Sequence, residues 1–215
     1  INMEPFLKNE QYNFIRKQVN WVKDSIKQHL PPGVLASVFD LTAEKIQNCA
    51  PHVTPEQFQL IDFSSCKSSE AYEQKFAQLE NYILPFPALT EPQLKKLFPK
   101  NKKLKLPALA LDRLSYVSWN DSRSNKKYIL YMLEGKLIGI ECTFSPSSKK
   151  NICSICHCQE EVTQFSTITK AKKINNPDYY KSIGNLICVD SVKCNKNITD
   201  VTFLEEFLKE SLKSY

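Results

Sequence analysis

Glycine is scarce in this chain, with four residues among 215, at positions 33, 135, 139 and 184. None has the spacing of the glycine-rich turns that let a backbone wrap a pyrophosphate, which argues against Walker-type NTPases and Rossmann dehydrogenases. Long apolar runs are also missing. The longest, about Tyr128 to Leu133, falls far short of the roughly 20 residues that a membrane-crossing helix needs, so no membrane partner is expected. Histidine is limited to His29, His52 and His157. These lie at a helix end, between two turn signals and inside a cysteine-rich turn, and none suggests the grouping of acid, base and nucleophile that site chemistry requires. The sequence therefore predicts a protein that is not an enzyme and has no small-molecule substrate. Its first residues, Ile1-Asn2-Met3-Glu4-Pro5, lack a basic segment followed by an apolar one, so the expected location is cytoplasmic.

What is present is ordinary globular composition, 42% hydrophobic and 24% charged, enough for a packed core in one large or two small domains. The net charge of +6 points only weakly to an anionic partner. Through the first hundred residues the apolar period is helical. Tyr12, Ile15, Val19, Val22, Ile26 and Leu30 share one face of a helix from about 9 to 29, ended by Pro31-Pro32-Gly33. A second helix runs through Leu35, Val38, Phe39 and Ile46. Thr54-Pro55-Glu56-Gln57 is a helix start with a cap, a proline in the first turn and a glutamine placed to close a capping box. Ser68 or Ser69 caps a helix carrying Tyr72, Phe76, Leu79 and Ile83, and Thr90-Glu91-Pro92 opens a shorter one with Leu94, Leu97 and Phe98. An antiparallel helical bundle over 1–107 is the economical arrangement.

After Pro107 the pattern changes to strands near 114–119, 127–133 and 136–144, with Glu134-Gly135 as a hairpin turn. Further strands are expected near 162–169 and 184–188, and a closing helix over about 200–213. The fold class is thus α+β, with a mixed α/β domain over 108–215.

Eight cysteines in a chain expected to be cytoplasmic point to metal rather than to a disulfide framework. Cys153 and Cys156 form a CxxC pair, and Cys188 and Cys194 form a second, more widely spaced pair just before the last helix. Four thiolates from two such pairs suit one tetrahedral zinc ion. With no open coordination position, that ion is structural. His157 and Cys158, immediately beside the first pair, are alternative ligands. Cys49, Cys66 and Cys142 sit among apolar neighbours as ordinary buried thiols.

Several segments together resemble the FusB/FusC family. They are Gln11 to Arg16, Gln93 to Phe98, Lys105-Leu106-Pro107, Ser118 to Asp121, Ser124 to Ile129, and above all Cys153 to Cys156 with Leu186 to Lys196. The resemblance covers essentially the whole chain. It implies a cytoplasmic protein with an N-terminal helical bundle and a treble-clef-like zinc domain. It further implies that the protein binds elongation factor G and frees it from ribosomes on which fusidic acid has trapped it. The factor is then the direct partner, the ribosome an indirect one, and the protein a monomer. The alternative is a zinc-containing module that binds RNA or the ribosome without touching the factor.

The last helix places Val201, Leu204, Leu208 and Leu212 on one face, with Phe203 and Phe207 on a flank that is either exposed for contact or buried on the sheet. By the resemblance, Phe207 matches a phenylalanine of the family's contact surface. Ile152 and Leu186 stand where the family has aromatics, and Ile183 where it has a lysine. The expected contact set is Phe207, Phe203, Ile152, Leu186 and Ile183, with Phe207 as anchor. Lys95, Lys96, Lys100, Lys102, Lys103 and Lys105 form a basic run that reads as a solvated face, with RNA contact as the alternative.

Overall fold

The computed structural model describes residues 3–101, 103–168 and 182–212. Lys102, Thr169 and Lys213, which the expectations above include, lie outside them. The chain divides into two compact units, Ile1–Leu84 and Pro85–Tyr215.

Unit 1 consists of α1 (Asn9–Lys27), α2 (Pro32–Cys49), α3 (Pro55–Ile61) and α4 (Ser69–Glu80). The local chemistry explains where they start. Pro31 and Pro32 do not merely end α1, because Pro32 occupies the first turn of α2, where a missing N–H costs nothing. The capping box at α3 forms as the sequence predicts: the Thr54 N–H donates to Gln57 Oε1 at 2.9 Å and the Gln57 N–H to Thr54 Oγ1 at 3.3 Å. Ser68 caps α4 through the Ala71 N–H at 3.2 Å. The core gathers Tyr12, Ile15 and Val19 of α1 with Ile61, Phe63, Phe76 and Leu79. Ile26, expected on the buried face of α1, is exposed.

Unit 2 contains α5 (Glu91–Leu97), β1 (Val117–Asp121), β2 (Lys126–Leu133), β3 (Lys136–Phe144), β4 (Lys149–Ile152), β5 (Gln159–Ile168), β6 (Ser182–Cys188), α6 (Ser191–Asn197) and α7 (Thr202–Leu212). All strand pairings are antiparallel, in the order β1-β2-β3-β5-β4, with β6 on the other edge of β5. The β2–β3 hairpin turns at Glu134 and Gly135, both at positive φ, as a tight two-residue turn requires. Strand β4 and helix α6 carry no strong apolar period and are not anticipated by the sequence.

Helix α5 departs from the expected division at 107. Its Leu94 and Phe98 pack with Val117, Tyr128 and Leu130 of the sheet, so the helix belongs to unit 2. Gly139 permits this approach, since a Cβ there would lie 2.8 Å from both Phe98 Cζ and Leu130 Cδ2. A second core holds Phe165, Ile187, Leu204, Phe207 and Leu208 around the cysteines.

Candidate metal centre and contact surface

Two local structures bring the thiols together. Cys153 and Cys156 lie in the turn between β4 and β5, which His157 closes in the left-handed region at φ 57°. Its hydrogen bonds run from the Cys153 N–H to the Cys158 carbonyl at 3.0 Å and from the His157 N–H to the Cys153 carbonyl at 2.9 Å. Cys188 ends β6, and Cys194 sits in α6. Asp190 starts that helix by accepting from the Val192 and Lys193 N–H groups at 2.8 and 3.3 Å. The Ser154 N–H then ties the first turn to β6 through the Leu186 carbonyl at 2.8 Å.

The sulfurs of Cys153, Cys156, Cys188 and Cys194 all lie within 4.8 Å of one another, and all four residues are buried. His157 is exposed, and neither it nor Cys158 belongs to this cluster. The donor set fits one tetrahedral zinc ion with no position left for substrate. The surroundings favour a thiolate at Cys153 in particular. The Ile155 and Cys188 N–H groups each donate to Cys153 Sγ at 3.4 Å. Cys153 is driven well below the usual thiol range, chiefly by the Cys156 thiol and then by Cys188 and Cys194, while Cys194 is driven well above it, chiefly by Cys153. A bound cation would let all four ionise together at this spacing. The fully buried Tyr116 hydroxyl faces Cys194, which after burial itself is the group that raises its pKa most.

Lys127 is a buried cation near the same core. It is 0% exposed, its Nζ donates to Asn120 Oδ1 at 3.1 Å and it lies 4.9 Å from the centre of the Phe165 ring. Burial lowers its pKa to about 8, against the opposing fields of Cys194, Cys142, Cys188 and Cys153. A dication held by four thiolates keeps a net negative charge, and Lys127 is the interior cation placed to offset it. Asn120 in turn donates to the Val189 carbonyl at 3.0 Å, next to the ligand Cys188. Asn195, also buried, accepts from the Ser115 and Tyr116 N–H groups and donates to the Tyr116 and Ser191 carbonyls, which fastens α6 to the start of β1. Cys66 and Cys142 are buried as expected, whereas Cys49 is only partly buried; burial pushes Cys49 up to about 11 and Cys142 to about 12.

The expected contact residues fall into two groups. Phe207 is 3% exposed, stacked on Phe203 and packed in the core with Leu204 and Leu208, so the structure corrects its reading as an exposed anchor. Phe203, Leu186 and Ile183 are partly buried against that same core. Ile152, immediately before Cys153, is 52% exposed. So is Val192, between Cys188 and Cys194, which the sequence reading missed because one valine on a seven-residue helix gives no periodic signal. Two exposed aliphatic side chains thus sit within two residues of zinc ligands, on opposite halves of the metal centre. The basic run 95–105 shows ordinary surface behaviour where it is described, with Lys95 paired to Glu91 one helical turn away.

Residues 98–211, more than half of the chain, match the family model described as FBP C-terminal treble-clef zinc-finger. Residues 6–87 match the model described as elongation factor G-binding protein, N-terminal. Among solved structures, the chain is similar to the structure of the fusidic acid resistance protein FusC, with 27% identity, 95% of this chain and 97% of that chain covered, and a TM-score of 0.79. No curated protein matches by sequence. Among the described residues, no helix is long and apolar enough to cross a membrane.

Proposed function

The chain belongs to the FBP treble-clef zinc-finger family, and we propose that it binds elongation factor G and promotes release of the factor from fusidic acid-stalled ribosomes, giving resistance by target protection. The observation that carries this reading is the likeness to a fusidic acid resistance protein over 95% of the chain, with both units included. The protein acts in the cytoplasm, as a monomer with one structural zinc and no catalytic step. Its direct partner is the factor, and the ribosome is reached through it.

The metal centre supports a specific role in this reading. A side chain fixed by coordinated neighbours loses little freedom on binding, so a zinc-anchored surface contributes more of its contact energy to affinity. Ile152 and Val192 are the exposed apolar groups so fixed, and the half-buried Leu186, Ile183 and Phe203 form the surrounding ground. Aliphatic groups keep apolar area but lack ring stacking, which favours a contact based on shape and desolvation.

The test is co-elution of the zinc-loaded protein with purified elongation factor G at moderate salt, with no ribosome or RNA present. A stable complex is expected. Failure to co-elute, together with RNA binding that weakens steeply as salt rises, would replace this reading with an RNA-binding zinc module.

A further inference from the structure

Unit 1 contains a largely apolar cavity of about 270 Å³, separate from the metal centre and from the contact surface. Its walls include Val22 of α1, Ile46 of α2, Ile61 of α3 and Tyr72 of α4. Thr42 of α2 also lines it, and Thr42 is 5% exposed with a hydroxyl that has no hydrogen-bond partner. A buried helical threonine ordinarily satisfies itself on a carbonyl one turn back. An unpaired hydroxyl costs stability, and valine would fill the same space without that cost.

Size and charge narrow what the cavity suits. An apolar cavity of about 150 Å³ takes up benzene, so this one accommodates two fused rings or an equivalent aliphatic body, on the order of ten non-hydrogen atoms. Asp40, Asp62 and Lys67 stand among its lining residues. The Asp62 carboxylate is already occupied, accepting from the Ser64 N–H at 2.9 Å and from the Ser64 hydroxyl at 3.0 Å. Asp40 and Lys67 are exposed, so with Asp62 the lining carries one net negative charge that water screens, which disfavours an anion and leaves the apolar wall as the main determinant. We propose that this cavity binds an uncharged, mainly apolar small molecule of that size, whose single hydroxyl or amide group pairs with Thr42.

The full zinc-loaded chain is titrated with 2-naphthol and, in parallel, with naphthalene, following unit 1 amide signals by NMR. Saturable binding of both at one site per chain is expected, with 2-naphthol the tighter. Thr42→Val should weaken 2-naphthol about fivefold to tenfold, leave naphthalene unchanged and raise the melting midpoint of the ligand-free protein by a few degrees. Ala43→Phe, which places a larger side chain in the wall, should abolish binding of both. If Ala43→Phe fails to fold, the shape-preserving Thr42→Val decides alone. Absence of saturable binding by 2-naphthol, or equal 2-naphthol affinity in the Thr42→Val variant, overturns the proposal.

Discussion

The sulfurs of Cys153 and Cys194 lie 3.9 Å apart although 41 residues separate them in sequence. With the 3.7 Å approach of Cys156 to Cys188, this joins the β4–β5 turn to the end of β6 and to α6. A structural zinc site contributes about 10–16 kcal/mol in small zinc domains, comparable to the whole stability of a typical domain at about 5–15 kcal/mol. Metal analysis should give one zinc per chain. Cys153→Ser or Cys188→Ser should lose the metal and the cooperative unfolding of unit 2. A folded unit 2 without metal would contradict this.

Lys127→Met removes the interior cation while keeping an apolar stem. Zinc affinity, measured by competition with a chelator, should fall about tenfold, the lower end of what losing a group around a metal site costs. An unchanged affinity with unchanged folding would show that Lys127 does not sense the charge on the thiolates.

The contact surface and the core separate under mutation. Ile152→Asp and Val192→Asp should each weaken the complex with elongation factor G about tenfold or more, with zinc content and melting unchanged. Phe207→Ala should instead cost about 3–5 kcal/mol of stability, as for other buried aromatics. Normal stability with lost binding in the Phe207→Ala protein would return that residue to the surface.

In unit 1, Glu73 accepts from Lys23 Nζ at 2.9 Å and faces Arg16 at 3.6 Å. The Lys23 hydrogen bond leads in holding its carboxyl below the usual range. A depressed carboxylate stabilises the fold above its unfolded pKa of about 4.3, and that stability is lost as pH falls through its folded pKa. Glu73 is half exposed, so solvent screening limits the effect. Glu73→Gln should cost about 0.5 kcal/mol at pH 7 and progressively less as the pH falls below the carboxyl's folded pKa, measured by thermal unfolding of the helical signal. A cost that persists in acid would argue against the ion pair.

The zinc ligands were legible because thiol pairs at short spacing have few other uses in a chain of this kind, and Thr54 with Gln57 was legible because a capping box is purely local. The place of α5 was not, since the period of Leu94 and Phe98 announces a buried face without saying what covers it. Phe207 lies beside Leu204 and Leu208 on a helix whose apolar stripe is wider than the one inferred, and only packing settles which flank is covered. The burial of Lys127 was invisible for a related reason. Its neighbours Phe165, Cys188 and Cys194 arrive from distant segments, so nothing near it in sequence marks an interior charge.

The most direct measurement is sedimentation of ribosomes carrying elongation factor G trapped by fusidic acid, with and without this protein. Addition of the zinc-loaded protein should move the factor from the ribosome pellet to the supernatant while the drug remains chemically intact, and Ile152→Asp should blunt that release. A factor that stays in the pellet at saturating protein, or release that proceeds equally after the metal is removed, would contradict the account.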